Sequence, residues 1–165
     1  RYYTKFGLLY FFRFTYRRPA NLLCQSKTLY PMIIYTSIYK TIEFHAEDAL
    51  LITRWKPSTS SLDDDTLKAE IKKSLELIKT HRPQCILIDT LDFNFIIVPE
   101  VQEWFDEEVF IVYPEAGVRR KAFLVSKDLF SQVALTQHVD DVKHQTFESK
   151  FFDGESQAIS WLKGE

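Results

Sequence analysis

The stretch Cys85-Ile86-Leu87-Ile88-Asp89-Thr90 constrains the fold of this chain more than any other. A short continuous apolar run, closed by a carboxylate and a hydroxyl, is the pattern of a central strand covered on both faces, as in parallel sheets flanked by helices. An oily segment follows, Leu91 to Val98, and then Pro99-Glu100-Val101-Gln102-Glu103-Trp104. Proline suits the first position of a helix, where its missing N–H costs nothing. Strand, apolar loop and helix together read as one unit of an α/β sheet, and in open sheets of that class ligands and partners dock beyond the carboxyl ends of the strands. A site is therefore expected between Asp89 and Gln102.

The flanking sequence supplies compatible elements. Ile33 to Phe44 mixes β-branched and aromatic residues and reads as a strand; Ala46-Glu47-Asp48 is a polar turn, and Ala49 to Trp55 a second strand, so the two form a hairpin. After a loop at Pro57 to Ser61, Ser61 is the expected N-cap of a helix with Asp64 at its third position, and Asp63 to Asp65 suit the positive end of the helix dipole. Leu67, Ile71, Leu75 and Ile78 recur on one helical face, and Pro83 stops the helix. Beyond Pro99, the stripe Val101, Phe105, Val109 and Val112 extends a helix toward Tyr113. The β-prone run Val109 to Tyr113 offers a competing strand, and the helix is preferred. Lys121 to Ser126 is the next strand, and Asp128 to Val139 a helix with Leu129, Val133 and Thr136 facing inward. Thr146 to Phe151 is a last strand, and Ser156 to Lys163 a closing helix with Ala158, Ile159 and Leu162 apolar. The predicted class is α/β: a mixed sheet of about five strands in the order ββαβαβαβα.

Composition narrows the partners. Residues 1 to 31 hold six basic side chains and no acid, so the remaining 134 residues carry 15 basic and 23 acidic groups. An acidic body of this kind argues against nucleic-acid binding, which needs a basic face to neutralise phosphates. The first 31 residues are read as an extra N-terminal segment, non-native or disordered, with the domain spanning 32–165. Met32, the sole methionine, is the expected natural start, and a basic-aromatic membrane-surface anchor is the alternative. The longest apolar run there, Phe6 to Phe12, is far too short to cross a bilayer, so no stable membrane insertion is expected. The two cysteines, Cys24 and Cys85, make no disulfide framework, which points to a reducing, cytoplasmic compartment.

Chemistry-bearing patterns are sparse. Asp89 followed by Asp92 has the wrong spacing for a paired-aspartate phosphatase, and Asp89 reads first as a strand-end group hydrogen-bonded to the following loop. Thr90 reads likewise as a satisfied loop hydroxyl. His138 and His144 flank Asp140 and Asp141 without a metal-ligand pattern, and the four glycines make no phosphate cradle. No catalytic residue, metal or cofactor is therefore expected. The most unusual feature is Phe93-Asn94-Phe95-Ile96-Ile97-Val98, since loops at strand ends are generally polar. A loop this apolar either folds into the core or forms a surface for a ligand or partner.

From Met32 to Glu165 the order of elements resembles the STAS-like domains of bacteria, the branch akin to sporulation anti-sigma-factor antagonists. The resemblance rests on Ile86-Leu87-Ile88-Asp89-Thr90, on Pro99-Glu100-Val101-Gln102-Glu103-Trp104, on Lys121-Ala122-Phe123-Leu124-Val125, and on Phe151-Phe152-Asp153-Gly154 with Ala158 and Trp161-Leu162. It implies helices packed mainly on one face of the sheet and a non-enzymatic role, docking a protein partner through residues 89 to 102. Antagonist members are switched by phosphorylating a serine at the start of the helix after the central strand; Ile96-Ile97-Val98-Pro99 has no hydroxyl there, so no phosphosite carries over. The branch is also similar to CRAL-TRIO lipid-binding domains, which implies the alternative role of carrying a small apolar or lipid-like ligand. Asp89, Thr90, Phe93, Phe95, Ile97 and Gln102 are the expected partner- or ligand-binding residues.

Overall fold

A computed structural model describes residues 31–136 and 147–165. Residues 1–30 with Cys24, the predicted end of the 128–139 helix, and His138, Asp140, Asp141 and His144 lie outside the described residues. The chain forms an α/β fold around one six-stranded mixed sheet, whose strands lie side by side in chain order. The strands are β1 (Met32–Thr36), β2 (Lys40–His45), β3 (Leu50–Trp55), β4 (Cys85–Asp89), β5 (Arg120–Leu124) and β6 (Glu148–Phe152). The helices are α1 (Asp64–His81), α2 (Pro99–Trp104), α3 (Val112–Ala116), α4 (Lys127–Thr136) and α5 (Glu155–Lys163). Strands β1 to β3 are antiparallel neighbours, and β3 to β6 run parallel. Right-handed crossovers that advance in one direction put their linking helices on one face. Here α1 and α3 bury Leu75, Ile78, Val112, Tyr113 and Ala116 against Ile42, Leu51 and Ile86. On the opposite face, Ala158 and Leu162 of α5 pack on Leu50, Ile52, Leu87, Ala122 and Leu124.

Three local details differ from the sequence reading. The stretch Ile33 to Phe44 is two strands, which raises the count to six. Ser37 closes the turn between them: its Oγ accepts the Tyr39 and Lys40 N–H groups at 3.0 and 3.1 Å. With no glycine, proline or asparagine in Ser37-Ile38-Tyr39-Lys40, only the serine signalled this turn. Helix α1 is capped by Asp63, whose Oδ1 accepts the Thr66 N–H at 2.7 Å. Ser61 instead ends a separate 3₁₀ turn, Pro57–Ser61. Leu129, expected to face inward from the helix after β5, is exposed.

The helical reading of Val109 to Tyr113 agrees with the structure, with a twist: α2 continues into a π turn, Phe105–Val109, before α3. Arg82, in left-handed conformation, ends α1 ahead of Pro83. Of the predicted α1 stripe, Leu67, Leu75 and Ile78 are buried. Leu87, fully buried at the centre of the sheet, packs where collapse around a void is restricted, so Leu87→Ala should cost about 2–5 kcal/mol in urea unfolding; a loss under about 1 kcal/mol would contradict this account of the core.

Candidate functional site

The helical layer does not close completely on the sheet. Between them lies a cavity of about 360 Å³. Its floor is built by two sheet rows whose side chains share one face. Ile86 and Lys121 stand opposite each other in one row; Thr53, Ile88, Phe123 and Phe151 form the next. One wall comes from α1, through Leu67, Ile71, Ser74, Leu75 and Ile78. The other is aromatic: Phe105, Phe110 and Tyr113. The π turn brings these rings together. The Phe110 N–H donates to the Phe105 carbonyl at 3.1 Å, a five-residue step that sets both phenylalanines on the cavity side.

Thr90, Phe93, Ile97 and Gln102 complete the lining at the carboxyl ends of the strands. Ile97 and Gln102 are exposed, so the cavity reaches the surface there. The size lies at the lower end of ligand pockets, about 300–1,000 Å³.

The loop over the mouth is pinned from below. Thr59 is fully buried in the 3₁₀ turn. Its hydroxyl accepts the Asn94 N–H at 2.9 Å and shares its own proton between the carbonyls of Lys56, at 2.9 Å, and Asp92, at 3.2 Å. The Phe93 ring then meets Trp55 edge-on at 5.1 Å. Phe95 packs behind it at 6.3 Å and does not line the cavity. The apolar loop thus divides: Phe93, Phe95 and Val98 pack inward, whereas Leu91, Ile96 and Ile97 are exposed at 52%, 84% and 41%.

Asp89 points elsewhere. Its Oδ2 takes a hydrogen bond from Arg54 at 3.0 Å, and Arg54 also reaches Glu155 of α5 at 2.5 Å. Oδ1 accepts the Leu91 N–H at 3.1 Å. These bonds hold Arg54 charged above the ordinary arginine range, with Glu155 the larger influence. Asp89 is the latch of β3, the loop and α5, and does not line the cavity. Thr90 is a satisfied hydroxyl, donating to the Leu124 carbonyl at 2.9 Å.

Sequence reasoning missed two lysines. Lys40 is fully buried, and its Nζ meets the Glu70 carbonyl, Ser74 Oγ at 2.6 Å and Glu70 Oε2 at 3.5 Å. Tyr35 Oη donates to the same Glu70 carboxylate. Lys121 is equally buried at 2% exposure, yet among the described residues its Nζ has no hydrogen-bond or ion-pair partner. Four rings surround it instead, with centroids at 4.7 Å for Phe110, 4.5 Å for Tyr113, 5.0 Å for Phe123 and 4.9 Å for Phe147. The ring faces favour an ammonium, but burial opposes it and wins, pushing the amine from 10.5 down to about 7. The signal was present in the sequence: in a strand, position 121 shares a face with Phe123, so a lysine there is aimed at the core.

No protein-family model, curated protein or solved structure matches the chain. Among the described residues no group of three or more histidine, cysteine or carboxylate side chains is placed to hold a metal, and no helix is long and apolar enough to cross a membrane.

Lys121 makes stability depend on pH. Between about 7 and 10.5 the unfolded chain holds the Lys121 proton and the folded chain does not, so stability rises with pH across this window and is least below it. Lys40, pushed down to about 8 by burial against the opposing pull of Glu70, adds to the rise at the upper end. Lys121→Met should therefore be more stable than wild type below pH 7, with the difference shrinking toward pH 10.5. Urea unfolding across that range checks it, and parallel curves for the two proteins would contradict it.

Proposed function

We propose that the chain is a non-catalytic carrier or sensor of a small apolar ligand, held between the sheet and the α1–α3 layer and admitted past the 91–98 loop. The observation that carries this reading is the cavity itself, predominantly apolar in its lining and open beside Ile97 and Gln102. A hydrophobic pocket with few polar groups suits an alkyl or other apolar molecule. The role accords with the STAS-like and CRAL-TRIO resemblance of the sequence, which is itself part of the proposal.

The reading predicts that decanol raises the melting temperature of the wild-type protein in proportion to the logarithm of its concentration, as any ligand specific to the folded state does. Leu75 lines the cavity wall, so Leu75→Phe places extra volume into space already present; it should fold with little loss of stability and weaken decanol binding at least tenfold. Undiminished binding by Leu75→Phe, or no binding by wild type, would refute the carrier role.

A second reading, a protein-docking edge, is favoured by the exposure of Leu91, Ile96 and Ile97 at the same end of the sheet. The two readings separate by mutation. Ile96 is not part of the lining, so Ile96→Asp should leave decanol binding within twofold while abolishing co-purification of any partner seen with wild type. Partner retention by Ile96→Asp would exclude docking through this edge.

A further inference from the structure

The two buried lysines pose a contrast. Lys40 has three oxygen partners, one of them a carboxylate. Lys121 has the same burial, a cage of four rings and no anion among the described residues. An unpaired buried ammonium costs several kcal/mol, and a buried cation is normally found with a counter-charge. Among the described residues Lys121 is the sole cationic side chain that lines the cavity. The space it faces without an anion from those residues is the ligand space.

Resting on the carrier reading above, we infer that the cavity takes a single-chain monocarboxylate head-first, its carboxylate paired with Lys121 inside the aromatic cage and its alkyl chain running out toward Phe93 and Ile97. Three features fix the chemistry. One lysine balances one negative charge, which suits a carboxylate and leaves a phosphate monoester, at about −1.5 to −2, uncompensated. Tyr113 lines the cavity beside Lys121 and has no hydrogen-bond partner among the described residues. Burial pushes its hydroxyl up to about 12, so it stays protonated and can donate to the second carboxylate oxygen. The volume of about 360 Å³ admits one chain but not the two chains and headgroup of a phospholipid.

Depth fixes the direction. Lys121 lies three residues before Leu124, the last residue of β5, and the mouth lies beyond that end. At about 3.3 Å per residue the amine is rooted roughly 10 Å below the strand ends. A carboxylate that reaches it must lead the chain in. Lys121 is a binding residue in this account, and the step is an ion pairing with no covalent change.

The experiment compares decanoate with decanol, two probes of one chain length, on the full chain by calorimetry. Wild type should bind decanoate at least about tenfold more tightly than decanol, the worth of one charge-assisted hydrogen bond. Lys121→Met should lose that preference, binding decanoate no more tightly than decanol. Decanol binding without any preference for decanoate would overturn the head-first pairing and leave the carrier reading standing; absence of both would end both. A test on wild type alone guards against a variant that fails to fold. With bound decanoate, nuclear Overhauser contacts from the protons beside the carboxylate should go to Phe110 and Tyr113. Contacts from those protons to Phe93 and Ile97 would show tail-first binding and overturn the inference.

Discussion

The position of α1 over the sheet depends on one buried ion pair. Lys40 leaves β2, passes over the Trp55 ring at 4.8 Å and ends on Glu70 and Ser74 of α1. Breaking such a pair from one side strands a charge and typically costs about 3–5 kcal/mol, so α1 is tied to the β2 side of the sheet. Ser74 and Trp55 are also part of the cavity lining. The clamp that holds the helix thus stands at the edge of the empty space, and with the helix fixed there the gap over β4 and β5 is filled by no side chain of α1. On the opposite side of the sheet the small side chain of Ala158 lets α5 pack closely on Leu50, Leu87 and Ala122.

Much of this fold is legible in the residues because period and burial agree. The run Cys85 to Asp89 is covered on both faces, as a continuous apolar strand demands. The α1 stripe and the apolar side of α5 fall where helical spacing puts them. What eluded the sequence was local hydrogen bonding. The Ser37 turn and the Asp63 cap each use one short polar side chain, and neighbouring serines and aspartates compete for such roles on equal terms. The run Val109 to Tyr113 has the composition of a strand, and its placement in helix shows tertiary context overriding propensity.

The surroundings of the cavity were partly legible in the sequence, and its chemistry was not. The strand-end region 89 to 102 does border the cavity, through Thr90, Phe93, Ile97 and Gln102. Asp89, the most conspicuous carboxylate there, faces the other side of the sheet and is spent on Arg54. Strand alternation explains this, since adjacent residues take opposite faces, and the hydrogen bond to the following loop expected of Asp89 is present. Alternation aims Lys121 at the core, but it lies 32 residues further on, and only the pairing of β5 in register with β4 at Ile86 brings it to the cavity. Spacing along one segment does not reveal a row that crosses four strands.

The π turn gives the cavity an unusual sensitivity to chain length. Each residue of an α-helix turns about 100°, so the five-residue step at Phe105–Val109 amounts to one inserted residue that rotates everything after it. Removing one residue there would restore a regular helix and swing Phe110 and Tyr113 round the axis, away from Lys121, while leaving Val101 and Trp104 seated. A single codon gained or lost is thus enough to exchange one set of cavity walls for another. Chains that share this sheet could differ in what they hold with hardly any change in their core.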